Sequence, residues 1–124
     1  MSPADAVAQL DAVMAHLWMV RTFLKHAEEI QDDPDLLDVP RTLFDYVRAV
    51  EPGRERGDNN EYLHRARAKI SKLRRVADYF AVEHRRVSDH TNYQMAAASL
   101  SGCVRQIEEI LALVDKPSGP VQEK

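Results

Sequence analysis

One cysteine, one tryptophan, four glycines and an aromatic content of 6% are what this 124-residue chain has least of. The lone cysteine, Cys103, excludes an intrachain disulfide and is compatible with a reducing compartment. Scarce glycine favours helix, because each glycine inside a helix costs about 1 kcal/mol relative to alanine. No apolar run approaches the roughly 18 residues that a membrane span requires. The opening MSPADAVAQLDAV has no basic segment and is acidic by Asp5, which is unlike a secretory signal. Glycine-rich phosphate loops, His-Glu-x-x-His and paired cysteines are all missing, and so are internal repeats and strand-like alternation. These absences point to a soluble, cytoplasmic protein with no membrane partner.

What remains is a chain 44% hydrophobic and 30% charged, the balance of a globular protein. The expected organisation is one helical domain over residues 1–115, followed by a C-terminal tail, 116–124, too polar to pack. Apolar residues recur at helical spacing. A first helix is expected from Pro3 to about Gln31, capped by Ser2, with Val7, Leu10, Val13, Met14, Leu17, Val20, Phe23, Leu24, Ala27 and Ile30 on its inner face. His16 falls within that face, and His26 at its edge. Residues 34–39 read as a turn. Asp38 then caps a short second helix, with Pro40 near its first position and Glu51-Pro52-Gly53 at its end.

Asp58 or Asn59 opens a third helix that runs to Ser88. Tyr62, Leu63, Leu73, Phe80 and His84 face inward from it. Ser88 or Asp89 caps a last helix over roughly 90–115, which turns Tyr93, Leu100, Cys103 and Ile107 inward. The expected fold is all-α: an up-down-up-down four-helix bundle with a short, Pro-kinked second helix.

Charge is unevenly distributed. Residues 1–51 carry four basic and ten acidic side chains, whereas 60–88 carry eight basic and three acidic. A basic helix could follow a phosphate backbone. The overall charge of −3, the spread of the basic residues around the helix and the lack of interleaved aromatics argue against a nucleic-acid partner. Pairing with acidic neighbouring helices is the expected use of these cations.

Two constellations suggest chemistry. In an up-down bundle His26, His84 and His90 come to one end at similar height, with Glu29 a turn or less from His26. Three imidazoles and a carboxylate could hold zinc or iron. The competing reading is a core His84 with a hydrogen-bond partner, His26 and His90 being solvated; on that reading there is no cofactor. The second constellation is Arg85 and His90, an R-x4-H pattern at a helix–helix turn. It resembles the catalytic motif of HEPN ribonuclease domains, which are also all-α bundles. The resemblance implies an Arg and a His acting together on RNA without a metal. It covers six residues and the fold class, with Arg86 where that family often has a polar amide. The same pattern recurs from Arg21 to His26, inside a helix.

The leading expectation is non-enzymatic: a small adaptor or accessory subunit that associates with itself, as a homodimer, or with another protein. Trp18 and Thr22 lie off the inner face of the first helix, and Met95 off that of the last. Exposed Trp and Met are favoured at interfaces.

Overall fold

A computed structural model describes residues 1–114. The expected tail at 116–124, and the last residue of the expected domain, lie outside the described residues. Five α-helices are present: α1 (Pro3–Lys25), α2 (Glu28–Gln31), α3 (Pro34–Arg56), α4 (Asn59–Glu83) and α5 (Thr91–Leu113), with a 3-10 turn at His84–Arg86 after α4. Among the described residues there is no strand, and no helix is long and apolar enough to cross a membrane.

The four long helices surround one apolar core, and α2 lies against α3. Residue pairs fix how they lie. Trp18 meets Phe44 and Arg54 approaches Asp11, so α3 descends as α1 ascends. The Tyr46 hydroxyl donates to the Ala66 carbonyl (2.7 Å), tying α3 to α4. Arg74 bonds Glu108, Phe23 meets Tyr93, and the Met1 amino group donates to the Leu113 carbonyl. Leu10, Leu17, Leu24, Ile30, Leu36, Leu43, Tyr46, Tyr62, Leu73, Phe80, Leu100 and Ile107 are fully enclosed. Cys103 is buried with them, and burial raises its thiol pKa against the smaller lowering effect of Ser99.

Several boundaries differ from the sequence expectation. The first helix does not reach Gln31. His26 Nδ1–H donates to the Thr22 carbonyl (2.9 Å) and the Gln31 side-chain amide donates to the Lys25 carbonyl. These side chains satisfy carbonyls of the last turn, so the backbone leaves the helix at Ala27 (φ −84°, ψ 118°) before α2 starts. His16 lies outside the core and is exposed.

The second long helix is not short. Residues 34–39 form its first turns, Asp33 caps it by accepting from the Asp35 and Leu36 amides, and it runs through both Pro40 and Pro52 for 23 residues. A proline inside a helix costs roughly 3 kcal/mol. Burying one Leu or Val contributes about 1.5–3 kcal/mol, and α3 buries Leu36, Val39, Leu43, Tyr46, Val47 and Val50. Burial therefore outweighs the two breaks.

The helix ends at Gly57, in the left-handed region at φ 68°, with Gly57 N–H donating to the Arg54 carbonyl and Asp58 N–H to the Gly53 carbonyl. Asp58 then caps α4 by accepting from the Glu61 amide, as expected. A Cβ on Gly53 would sit 2.8 Å from the Tyr62 nitrogen, so the α3–α4 corner closes only around a glycine. Gly53→Ala is expected to lower stability by about 1–3 kcal/mol, the usual cost of overpacking. Urea unfolding of the variant against the parent checks this.

Candidate functional site

The end of the molecule that holds the histidines is built from the α1–α2 break, the start of α3, the 3-10 turn and the start of α5. His84 is buried there beside Phe80, ring centroids 5.7 Å apart. Among the described residues its Nδ1 has no hydrogen-bond partner, unlike the partnered core histidine that the sequence suggested. His26 is exposed and committed to the Thr22 carbonyl. His90 is exposed and is itself the cap of α5, its Nδ1 accepting from the Asn92 amide (3.0 Å). Neither Ser88 nor Asp89 takes that role; Ser88 Oγ instead accepts from the His90 amide.

Glu29 lies near His90 and accepts from the Tyr93 hydroxyl (2.8 Å). Among the described residues no group of three or more His, Cys, Asp or Glu is placed to hold a metal ion. Arg85 is exposed and makes no hydrogen bond or ion pair among the described residues.

Polar ties hold this end together. Arg86 bridges Asp33, Glu83 and the Tyr79 hydroxyl. Asp33 is held below the usual carboxylate range, first by the Leu36 amide and then by Arg86. Glu29 is also lowered, by a backbone amide first and the Tyr93 hydroxyl second. Both carboxylates therefore stabilise the fold above the ordinary carboxylate range, and that contribution disappears as the pH falls through their folded values. Burial, followed by Glu29, pushes the Tyr93 phenol from 10 up to about 12.

The remaining candidates lie on α1 and α5, and the structure divides them between two surfaces. Trp18 and Thr22 belong to the α3 side of α1. The Trp18 ring is half-buried, 5.7 Å from Phe44, and Thr22 Oγ1 donates to the Trp18 carbonyl. Met95 belongs to the opposite side, where α1 and α5 flank a shallow groove lined by Ala12, His16, Gln106 and Leu113 among others. Met95 is 59% exposed. Met19 (65%), Phe23 (36%) and Leu113 (60%) join it as exposed large apolar side chains of this helix pair. Phe23 was expected on the inner face of the first helix and lies at its outer edge instead, while Met19 and Leu113 had no place in the expected interface. Their spacing carried the signal: Gln9, Ala12, His16, Met19 and Phe23 recur at steps of three and four, as do Met95, Ser99, Gly102, Gln106, Glu109 and Leu113.

Two outcomes test these assignments. Exchanging His90 for Ala removes the cap acceptor and is expected to cost about 0.5–1 kcal/mol, whereas Asp there retains the cap; thermal melting compares them. Tyr93 stabilises below pH 10 and ceases to as the pH rises towards about 12. Tyr93→Phe should therefore flatten the alkaline loss of stability without abolishing it, since burial also raises the Tyr46 and Tyr62 phenols. Urea unfolding between pH 7 and 12 reads this. No protein-family model, curated protein or solved structure matches this chain.

Proposed function

We propose that this protein is a non-enzymatic, up-down-up-down four-helix bundle that works by association, as a cytoplasmic adaptor or accessory subunit assembled as a homodimer. The observation that carries the reading is the outer face of α1 and α5. Four of the six exposed large apolar side chains among the described residues, Met19, Phe23, Met95 and Leu113, lie on this helix pair. The two stripes between and around them hold small or neutral residues, with Glu109 as their one carboxylate. A surface that collects apolar side chains and excludes charge is of the kind that proteins cover.

Dimensions support a second copy as the cover. Helices of 23 residues are about 34 Å long at 1.5 Å per residue. Two of them side by side present roughly 700 Å², close to the ~800 Å² that each partner contributes to a standard interface. A twofold axis through the face would set each stripe against its own copy. The helix pairings described above support the bundle topology. The buried, unpaired thiol of Cys103 is compatible with a reducing compartment.

Sedimentation equilibrium tests the assembly. The parent protein is expected to be dimeric, and Met19→Asp combined with Met95→Asp to be monomeric with an unchanged helical spectrum. Val82→Asp is the control, because Val82 is 70% exposed on α4 and outside the face. A parent that stays monomeric at high concentration, or an equal effect at Val82, would overturn the reading.

A further inference from the structure

On the other side of α1 a second surface has different chemistry. A groove of about 500 Å³ runs between α1 and α3. Its floor is apolar, made by Leu37, Pro40 and Phe44 of α3, whose first and last members are about 10 Å apart along the helix. Its rim is cationic on both sides, with Arg21 and Lys25 from α1 and Arg41 from α3, against one carboxylate, Asp45.

Among the described residues these cations form no ion pair. Six other arginines, at 48, 54, 56, 65, 74 and 86, form ion pairs within the chain. Among the described residues Arg21, Lys25 and Arg41 have no carboxylate within 4.0 Å, the limit for such a pair. Arg21 is instead held by stacking: its guanidinium carbon lies 4.5 Å from the Trp18 ring centre and 4.9 Å from that of Phe44. Stacking covers the face of a guanidinium and leaves its N–H edge free to donate to a planar acceptor such as a carboxylate. Arg48 lies 5.6 Å from the same Phe44 ring, its charge paired with Glu51.

We propose that this groove is a docking site for an acidic amphipathic helical segment of a partner protein. An apolar floor two turns long takes side chains spaced i, i+3 or i+4, and i+7 on one face of such a helix. The unpaired cations on either side match carboxylates flanking that apolar stripe, and this charge complementarity selects an acidic partner. The neighbouring groove between α3 and α4 is larger, about 730 Å³, but there Asp35 and Asp38 line the wall together with Arg41, Lys72 and Arg75. Its charges are more nearly balanced, so the α1–α3 groove makes the sharper demand. Because Trp18 and Phe44 lie on the side of α1 away from Met19 and Phe23, the groove stays open whether or not the α1–α5 face is covered.

Trp18 is the one tryptophan in the chain and stands at the edge of the groove, so its fluorescence reports occupancy. The probe is a synthetic peptide of about four helical turns, with Leu on one face and Glu elsewhere, titrated into the full-length protein. A saturable shift of Trp18 emission that weakens with added salt is expected. Arg41→Glu should reduce the affinity roughly tenfold or more. Arg41 is exposed and has no hydrogen bond or ion pair among the described residues, so its variant is expected to keep the parental melting temperature. Lys69→Glu, the same charge change on the outside of α4, should leave binding as it was. Leu37→Asp, in the floor, should weaken it independently.

No saturable shift would overturn the proposal. So would equal binding of a peptide of the same composition in scrambled order, equal loss in Lys69→Glu, or tighter binding of a single-stranded RNA of similar length. Sedimentation of the same samples reads self-association separately, so a monomeric parent that binds the peptide sinks the dimer alone.

Discussion

At Gly53 the missing side chain lets α3 come directly against the Tyr62 amide of α4, where a Cβ would sit 2.8 Å from that nitrogen. Much of the architecture follows from that corner. With Gly53 against Tyr62, the chain reverses through Gly57 and Asp58 alone, and α3 and α4 lie side by side along their length. Tyr62 is thereby buried, and its hydroxyl donates to Asp11 Oδ1 (2.9 Å) on α1. One glycine thus lets a tyrosine be enclosed, and that tyrosine holds a third helix in register. A buried phenol without an acceptor would cost about 1–3 kcal/mol, so the Asp11 bond helps decide which way α1 can sit.

Charge is arranged less economically than the sequence suggests. The basic α4 segment does meet acidic neighbours, through Arg74 with Glu108 on α5 and Arg86 with Asp33 at the start of α3. Arg65, however, pairs within its own helix to Glu61, while Lys69, Lys72, Arg75 and Arg85 have no ion pair among the described residues. Exposed pairs contribute little, commonly below about 1 kcal/mol. Folding therefore exerts weak pressure on where such charges lie, and cations gathered around an apolar groove need a reason outside the fold. α1 is central here, because it contributes one edge to the charge-poor face and another to the cationic groove. Trp18, Thr22 and Met95 looked like parts of one interface when only their exposure could be read, but they belong to these two different surfaces.

Helical character and the inner faces were legible because burial imposes a period of 3.6 on the sequence, and Leu10, Leu17, Leu73, Phe80, Leu100 and Ile107 obey it. The termini were harder, for identifiable reasons. Pro40 and Pro52 read as breaks by local preference, yet packing of a full apolar face carries α3 through both. His26 and Gln31 end α1 with side-chain bonds to its carbonyls, a competition that no spacing rule records. His90 caps α5 in place of the better cap formers Ser88 and Asp89 because helical geometry begins one residue after it. The three histidines do share one end, but each has a separate structural setting there. Nothing in the sequence indicated that Phe44 would meet Trp18 across a helix pair, since that contact depends on the angle between elements and not on either helix alone.

Cys103 gives the interior an intrinsic clock. Its thiol is enclosed between α5 and the rest of the core, and burial holds it in the unreactive protonated form. A thiol reagent reaches it only when α5 lifts away or the whole chain opens, so the rate of alkylation measures how often that happens. Since α5 also supplies Met95 and Leu113 to its outer face, anything that covers that face holds the helix down and slows the reaction, although it never touches the sulfur.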